Sequence, residues 1–427
     1  MMDLKERLNR LTSLSQKEAP SKSEILGDLR DRLDRLFEPK KVYRKKGAVP
    51  IEQLVRGEVV STPHGETFHV RTSFPSDFQC GGMTFSEILS LPTYPAHLLS
   101  NNEQLSELNL RRTLFVDTET TGLSGGTGTL AFMIGAGFFE GETFHIHQWF
   151  MRDFSEERAS LSLFRKWLES FQYLITFNGR NYDVPLLETR FILARDPSGI
   201  REMPNFDLLF PSRKIWKGAY ENCRLVTLES KLLGMEREDD IPSEFIPYLY
   251  FDYLRTGDAQ KIHRVFYHNQ MDILAMVGLT GRIHLVYHDP QAARPRRGIE
   301  HFALGRLFWE HGHPEKALPC FEVALHRCDE DLTWEAMKWL SRAMKKTGQL
   351  EKARSLWEEM FTWPDQRDLF PYVELAKYYE HKAKDIDQAM AVVEQALRKT
   401  LPHQHKEIEE LSCRKQRLEQ KRGGISS

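Results

Sequence analysis

Residues 114–123 read LFVDTETTGL, and this stretch decides both the predicted fold and the predicted chemistry. Apolar, β-prone residues predict a short buried strand that delivers Asp117 and Glu119 two positions apart, so both side chains leave the same face. Two carboxylates on one face repel each other and are tolerated when cations lie between them. Oxygen ligands on a rigid strand suit Mg²⁺ or Mn²⁺. The plainer alternative is a strand end with a capping aspartate and a solvated glutamate.

A third carboxylate follows a second predicted strand. Residues 174–187 read LITFNGRNYDVPLL, in which the strand ends at Asn178 and Asp183 begins the next helix. The alternative is that Asp183 only caps that helix.

A fourth carboxylate lies on a later helix. Residues 263–274 read HRVFYHNQMDIL, and Asp272 shares a helix face with His268, four positions earlier. A histidine at this position can take a proton from an attacking water, because its ordinary pKa is roughly 6.5. Tyr267 stands five positions before Asp272, and one of this adjacent pair could instead pack the helix.

These three segments together resemble the motifs of the DEDD superfamily of 3′–5′ exonucleases. The resemblance implies a ribonuclease-H-like fold and two Mg²⁺ or Mn²⁺ ions held by Asp117, Glu119, Asp183 and Asp272. It further implies that Asp117 bridges both ions, that Glu119 and Asp272 complete the shell of the nucleophile-side ion, and that Asp183 acts through water on the other. The third motif departs from the common subtypes, which place histidine five positions or tyrosine four positions before the aspartate. We assign the general base to His268, since imidazole is the better base near neutral pH.

Within that superfamily the chain most resembles the YprB-like bacterial exonucleases, which carry a C-terminal tetratricopeptide region. The resemblance extends from about residue 50 and includes the segments NFDLL (205–209) and RLVTLE (224–229). Asp207 in the first of these either supports the site or lies in a solvated loop. The resemblance implies an enzyme of DNA processing or repair that acts on 3′ ends, with DNA rather than RNA as the nucleic-acid partner. The rival hypotheses are a ribonuclease of the same fold and a non-catalytic scaffold that binds nucleic acid or protein.

Alternating strands and helices place residues 113–290 in the α/β class. We predict an RNase H-like mixed sheet flanked by helices, then an all-α domain of tetratricopeptide-like repeats at residues 298–402. A charged, helix-prone arm (1–46) and a lead-in region with a short hairpin (47–112) precede the sheet domain, and a polar tail (403–427) that should fray follows the repeats.

The repeat prediction comes from a spacing of small and large residues that recurs three times. Its segments begin at Leu304, Leu340 and Leu375, close to the roughly 34-residue period of tetratricopeptide helix pairs. Stacked helix pairs form a concave surface that suits a protein partner or nucleic acid.

Composition excludes several classes of function. The net charge is -2, which excludes a uniformly basic coat protein, and the five cysteines form no CxxC pair. The sequence contains no long apolar run, so we expect no membrane association and a reducing cytoplasm. GTGTLA (126–131) matches a dinucleotide fingerprint but precedes a β-prone segment, and no GK[ST] follows a glycine loop, so we expect no nucleotide cofactor.

Two weaker patterns leave alternatives open. His145 and His147 alternate on a predicted strand, where surface pairing is favoured over a zinc site. RKIWK (213–217) mixes basic and aromatic residues, which fits either stacking on single-stranded nucleic acid or an ordinary solvated loop.

Overall fold

The computed structural model describes residues 47–122, 128–238, 240–363, 368–400 and 403–425. The predicted N-terminal arm (1–46) and the glycine-containing segment at 123–127 lie outside these residues. In the part of the chain that is described, no helix has the length and apolar character needed to cross a membrane.

Nine strands are described, followed in the second half of the chain by helices alone. The strands are β1 (Glu58–Thr62), β2 (Gly65–Phe74), β3 (Gln79–Cys80), β4 (Met83–Thr84), β5 (Thr113–Thr120), β6 (Ala131–Glu140), β7 (Thr143–Phe150), β8 (Tyr173–Thr176) and β9 (Asn205–Asp207). The α-helices before residue 264 are α1 (Ile51–Leu54), α2 (Phe85–Ser90), α3 (Pro95–Ser100), α4 (Glu157–Leu168), α5 (Asp183–Leu193), α6 (Leu209–Trp216), α7 (Leu225–Leu228) and α8 (Ile246–Thr256). The later helices are α9 (Arg264–His288), α10 (Pro290–Ala293), α11 (Gly298–Glu310), α12 (Pro314–Arg327), α13 (Glu330–Lys346), α14 (Leu350–Thr362), α15 (Phe370–Tyr378), α16 (Ile386–Lys399) and α17 (His405–Ile425).

Seven of the strands form one mixed sheet in the order β1-β2-β7-β6-β5-β8-β9. Strands β5, β8 and β9 are parallel, and the remaining neighbours pair antiparallel. The predicted α/β class and mixed sheet are therefore confirmed. The lead-in hairpin β1–β2 is an integral part of this sheet, since β2 pairs with β7 along its length from Phe68 to Phe74.

Alternation along β5 assigns its side chains to two faces. Leu114 and Val116 join the apolar cluster that includes α4 and α5. Phe115 joins the cluster on the opposite face, which includes Ile273 of α9. Period-2 geometry then directs Asp117 and Glu119 toward α9, and Thr118 toward α5.

Helix α9 approaches the sheet closely because β6 carries glycine at the contact positions. A Cβ at Gly135 would lie 2.1 Å from Oδ1 of Asn269, and one at Gly137 would lie 2.6 Å from Cγ2 of Ile273. Absence of these side chains lets α9 bring its polar residues within reach of β5.

Three helix pairs, α11–α12, α13–α14 and α15–α16, cover the three segments predicted as repeats, and each helix contacts the next along the chain. One apolar cluster extends from the sheet through α9 into these helices.

The prediction that the C-terminal tail frays was wrong over residues 405–425, which form α17. Leu411 and Leu418 are buried there, and Arg414, Arg417 and Lys421 all bind the carboxylate of Glu380.

We predict that Gly137→Ala destabilises the protein by about 1–3 kcal/mol, because overpacking forces the neighbouring groups to shift. The added methyl would meet the ring of Phe144 at 2.5 Å as well as Ile273. Chemical denaturation measures the free energy of unfolding. Gly122→Ala is the matched control, because its Cβ would meet only Oγ1 of Thr129, at 3.8 Å. Equal stability of both variants would show that α9 is not held at this distance.

Candidate active site

Strand β5 brings the first two predicted carboxylates to the edge of a cleft. Glu119 is buried and Asp117 is partly buried, and both face α9. The register with β6 shifts between Glu119 and Thr120, so regular pairing ends immediately after the second carboxylate.

Asp183 reaches the same region from the opposite side of β5. It is the first residue of α5, and its Oδ1 accepts hydrogen bonds from the backbone N–H of Thr118 at 3.1 Å and from the Thr118 hydroxyl at 2.5 Å. The carboxylate is thus tied to the residue between Asp117 and Glu119, which is more than the helix-capping alternative requires.

The loop that leads to Asp183 is held by Asp207. This carboxylate accepts hydrogen bonds from the backbone N–H groups of Asn178 (2.7 Å), Arg180 (3.0 Å) and Leu209 (3.1 Å). Asp207 is only 2% exposed, so its interpretation as a solvated loop residue was wrong. Asn178 adopts a φ of 62°, a left-handed conformation that asparagine tolerates, and this turns the chain from β8 into the loop.

Helix α9 carries three polar residues toward β5. The Asn269 amide donates to Oδ2 of Asp117 at 2.7 Å, and the amide of Gln148 donates to Oδ1 of Asn269 at 2.8 Å, which fixes its orientation. Nε2 of His268 lies 3.4 Å from Oδ2 of Asp272 and 3.9 Å from Oε1 of Glu119. The four predicted carboxylates and His268 therefore line one region.

Tyr267 points elsewhere. Its hydroxyl accepts a hydrogen bond from the backbone N–H of Glu238 at 3.4 Å, outside the carboxylate cluster. The adjacent His268 is 4% exposed, and its Nδ1 lies 2.9 Å from Oδ1 of Asp240. A carboxylate at Nδ1 favours the tautomer in which Nδ1 carries the proton. In the neutral ring the lone pair of Nε2 then faces Glu119 and Asp272.

Arg237 and Asp240 were not predicted from the sequence. The guanidinium of Arg237 binds Glu229, Asp240 and Asp272 together, with its side chain only 6% exposed. Both residues lie within a run of charged residues (236–240), which in sequence looks like a solvated loop. Asn269 was also missed, because an amide between two motif positions has no distinguishing spacing.

Electrostatics divide the site into two halves. On the α9 side, burial opposes ionisation of Asp240, but the hydrogen bond and charge of His268 and the charge of Arg237 lower its pKa to about 2. Burial likewise opposes protonation of His268, but the hydrogen bond to Asp240 and the charges of Asp272 and Asp240 raise its pKa above 6.5.

On the β5 side, burial and like charge outweigh the groups that favour ionisation, which for Asp117 are the hydrogen bond from Asn269 and the charge of Arg237. Burial and the negative charges of Asp272 and Asp183 raise the pKa of Asp117 well above its ordinary value. Burial and the charge of Asp117 do the same for Glu119. Burial raises the pKa of Asp183 to about 6, against the hydrogen bonds from Thr118. This half of the site needs positive charge to keep its carboxylates ionised.

The donor set fits a divalent cation. Single ligand atoms of Glu119, His268 and Asp272 lie within 4.8 Å of one another. The carboxylate oxygens among them suit Mg²⁺ or Mn²⁺. Asp117, Asp183 and Asp272 also line a cleft of about 730 Å³, together with the exposed ring of Tyr182. The cluster is therefore accessible to a substrate.

The weaker sequence patterns have structural explanations. RKIWK belongs mainly to α6, where Ile215 and Trp216 are buried in the core, so both the stacking and the solvated-loop interpretations were wrong. His147 is buried and its Nδ1 lies 3.2 Å from Nε2 of His69, so the surface-pairing interpretation was wrong for this residue.

Comparison with known proteins agrees with this geometry. A family model described as the RNase H superfamily matches residues 114–284, which span β5 to α9 and hold all five site residues. This superfamily indicates a nuclease-type function on nucleic acid with divalent metals. More specifically, the chain is 32% identical over 356 residues to the Bacillus subtilis (strain 168) protein "Uncharacterized protein YprB", covering 82% of this chain and 84% of the relative. The chain belongs to this YprB-like family of RNase H-like proteins.

We predict that Asp183 increasingly lowers the stability of the protein in chelator as the pH rises from about 4 to about 6, measured as the difference in Tm between wild type and Asp183→Asn. The folded-state pKa of Asp183, about 6, exceeds the ordinary value of 3.8, so across this interval this carboxyl binds more protons in the folded state than in the unfolded state. Added Mn²⁺ should raise the Tm more above this interval than below it, because it binds ionised carboxylates. The Tm of Asp183→Asn relative to wild type should therefore rise across this interval, and its response to Mn²⁺ should depend less on pH, whereas Asp77→Asn, at an exposed position, should show neither change. Identical Tm–pH curves for wild type and Asp183→Asn would contradict this account.

Proposed function

We propose that the protein is a metal-dependent 3′–5′ exonuclease that hydrolyses phosphodiester bonds in DNA, at single strands or DNA ends, during DNA processing or repair. The convergence of Asp117, Glu119, Asp183 and Asp272 at the mouth of one open cleft carries this proposal. The two-metal class of nuclease requires carboxylates in such an arrangement.

Those four carboxylates would hold the cations. Bound there, two divalent ions supply an activated water and stabilise the charge that develops on the leaving oxygen. Arg237 already binds Oδ1 of Asp272, so Oδ2 is the oxygen that Asp272 presents to the cluster. Asn269 holds Oδ2 of Asp117 by its hydrogen bond and thereby sets the rotation of that carboxylate.

His268 would accept the proton of the attacking water at Nε2. Asp240 holds the ring through Nδ1 at 2.9 Å, and Ser243 Oγ lies 3.3 Å from Nε2. Asp240 is thus a positioning residue that also stabilises the imidazolium once the proton has arrived. The exposed Tyr182 and the half-buried Phe177 line the cleft and would contact the terminal bases.

We further assign the three helix pairs to the tetratricopeptide class, on the recurring spacing in the sequence and their order in the fold. DNA is the proposed substrate on the family resemblance, and an RNA strand of the same sequence is the comparison that distinguishes a ribonuclease.

We predict that purified protein with Mn²⁺ shortens a 5′-labelled single strand of DNA from its 3′ end, and that chelation stops the reaction. Asp117→Ala should abolish hydrolysis, because the site would lose one of the four carboxylates that would hold the cations, whereas Asp77→Ala should retain it. A blocked 3′ terminus should resist. Full activity of Asp117→Ala, or activity in excess chelator, would reject the four-carboxylate assignment, and equal cutting of circular single-stranded DNA would indicate an endonuclease.

We predict that His268→Ala lowers kcat by roughly 10²–10⁴-fold, the usual contribution of a positioned base. Tyr267→Phe is the matched control and should be nearly silent, because the hydroxyl accepts a hydrogen bond from the backbone of Glu238, outside the carboxylate cluster. The measurement is kcat against pH at saturating Mn²⁺, where His268→Ala should also flatten the acidic limb. A crippled Tyr267→Phe beside an active His268→Ala would show that the base is misassigned.

A further inference from the structure

The first helices of the three repeat pairs share a groove that the proposed active site does not use. Helices α11, α13 and α15 line this groove, which has a volume of about 620 Å³. Its cationic side chains are those of Arg342, Lys345, Lys346 and Lys377, and its single carboxylate is that of Glu374. Three positive charges are therefore in excess, although the whole chain is slightly acidic.

The cations of this groove differ in their partners. Lys345 and Lys377 both bind the carboxylate of Glu374, at 2.6 Å and 2.8 Å. Across the described part of the chain, no carboxylate lies within ion-pairing distance of Arg342 or Lys346. These two cations are thus the ones available to an anionic ligand.

Aromatic rings hold Arg342 in place. Its guanidinium carbon lies 4.8 Å from the ring centroid of Trp339 and 5.1 Å from that of Phe370. A guanidinium held by ring faces keeps the N–H donors at its edge for a ligand, and its planar fork matches a phosphate or carboxylate in a bidentate manner. Phe370 and the partly exposed Trp309 themselves line the groove.

We propose that this groove is a second nucleic-acid site, which binds the phosphodiester backbone of a single strand outside the active-site cleft. The proposal rests on the proposed function for its choice of ligand. Cationic side chains interleaved with aromatic rings suit a single strand, because phosphates meet the cations and unpaired bases can stack on the rings. An acidic peptide would use the charges but has no general need of the rings.

The groove is held in a fixed position relative to the nuclease domain. Helix α11 packs on α6, the Tyr220 hydroxyl donates to Oε1 of Glu300 at 3.3 Å, and the Arg297 guanidinium lies 5.5 Å from the Tyr220 ring centroid. A strand bound in the groove is therefore tethered to the domain that would cut it.

Binding of a fluorescent oligothymidylate of about 20 nucleotides, longer than the roughly 4–16 nucleotides that a single domain covers, tests the proposal. The full-length protein is titrated in chelator, so that no hydrolysis occurs. Arg342→Glu and Lys346→Glu should each weaken binding by roughly tenfold at low salt and reduce the salt slope by about 0.7 per lost phosphate contact. Lys382→Glu, the same charge change at an exposed position outside the groove, should bind like wild type.

Two further measurements separate the outcomes. Arg342→Lys keeps the charge and should recover part of the affinity, and Lys346→Glu tests the groove if Arg342→Glu unfolds. Groove variants should still hydrolyse a nitrophenyl ester of thymidine monophosphate, which is too small to reach the groove. If wild type lacks that hydrolysis, the proposed function fails while the binding result stands. Oligothymidylate binding that is unchanged in Arg342→Glu and Lys346→Glu would overturn the groove proposal. Polyglutamate is titrated in parallel. Variants that lose binding of polyglutamate but keep that of oligothymidylate would also overturn it, because they would indicate an acidic protein partner.

Discussion

Mutual repulsion among the carboxylates at the mouth of the cleft is the constraint on which the rest of the site depends. Glu119 and Asp183 are buried and Asp117 is partly buried, and the charges of Asp183 and Asp272 raise the cost of ionising both Asp117 and Glu119. A fold gains nothing in stability from such a cluster, because burial and like charge both oppose ionisation. A divalent cation bound among these carboxylates would offset their repulsion. The RNase H superfamily, to which the chain belongs, generally uses divalent metals.

The protein supplies positive charge to only one half of the cluster. Arg237 neutralises Glu229, Asp240 and part of Asp272, and this lets His268 be held between Asp240 and the cluster. The half formed by β5 and α5 receives hydrogen bonds from Thr118 and Asn269, and among the described residues no lysine or arginine forms an ion pair with its carboxylates. The carboxylates of β5 and α5 therefore still need positive charge, and they lie beside the oriented imidazole of His268. The close packing of α9 on the glycines of β6 is what brings the two halves together.

Local geometry explains which parts were predictable from sequence. The pair Asp117 and Glu119 follows from strand period, and His268 with Asp272 from helix period, so neither depends on distant contacts. The roles of Asp207 and Arg237 depend on tertiary partners. In sequence Asp207 stands in an apolar segment and Arg237 in a charged run, and neither setting identifies those partners. The burial of Trp216, the pairing of the lead-in hairpin with β7 and the ordering of the polar tail by Glu380 are likewise decided by tertiary packing. Periodicity carries no information about these contacts.

The most direct test of the account is the location of Mn²⁺ by anomalous diffraction from crystals grown with the metal. We expect anomalous peaks among Asp117, Glu119, Asp183 and Asp272, with Nε2 of His268 facing the cluster and Asp240 still at Nδ1. Loss of these peaks in Asp117→Ala crystals would accompany loss of hydrolysis. A map with no peak at the cluster, while Mn²⁺ is bound elsewhere and the protein hydrolyses DNA, would contradict the account.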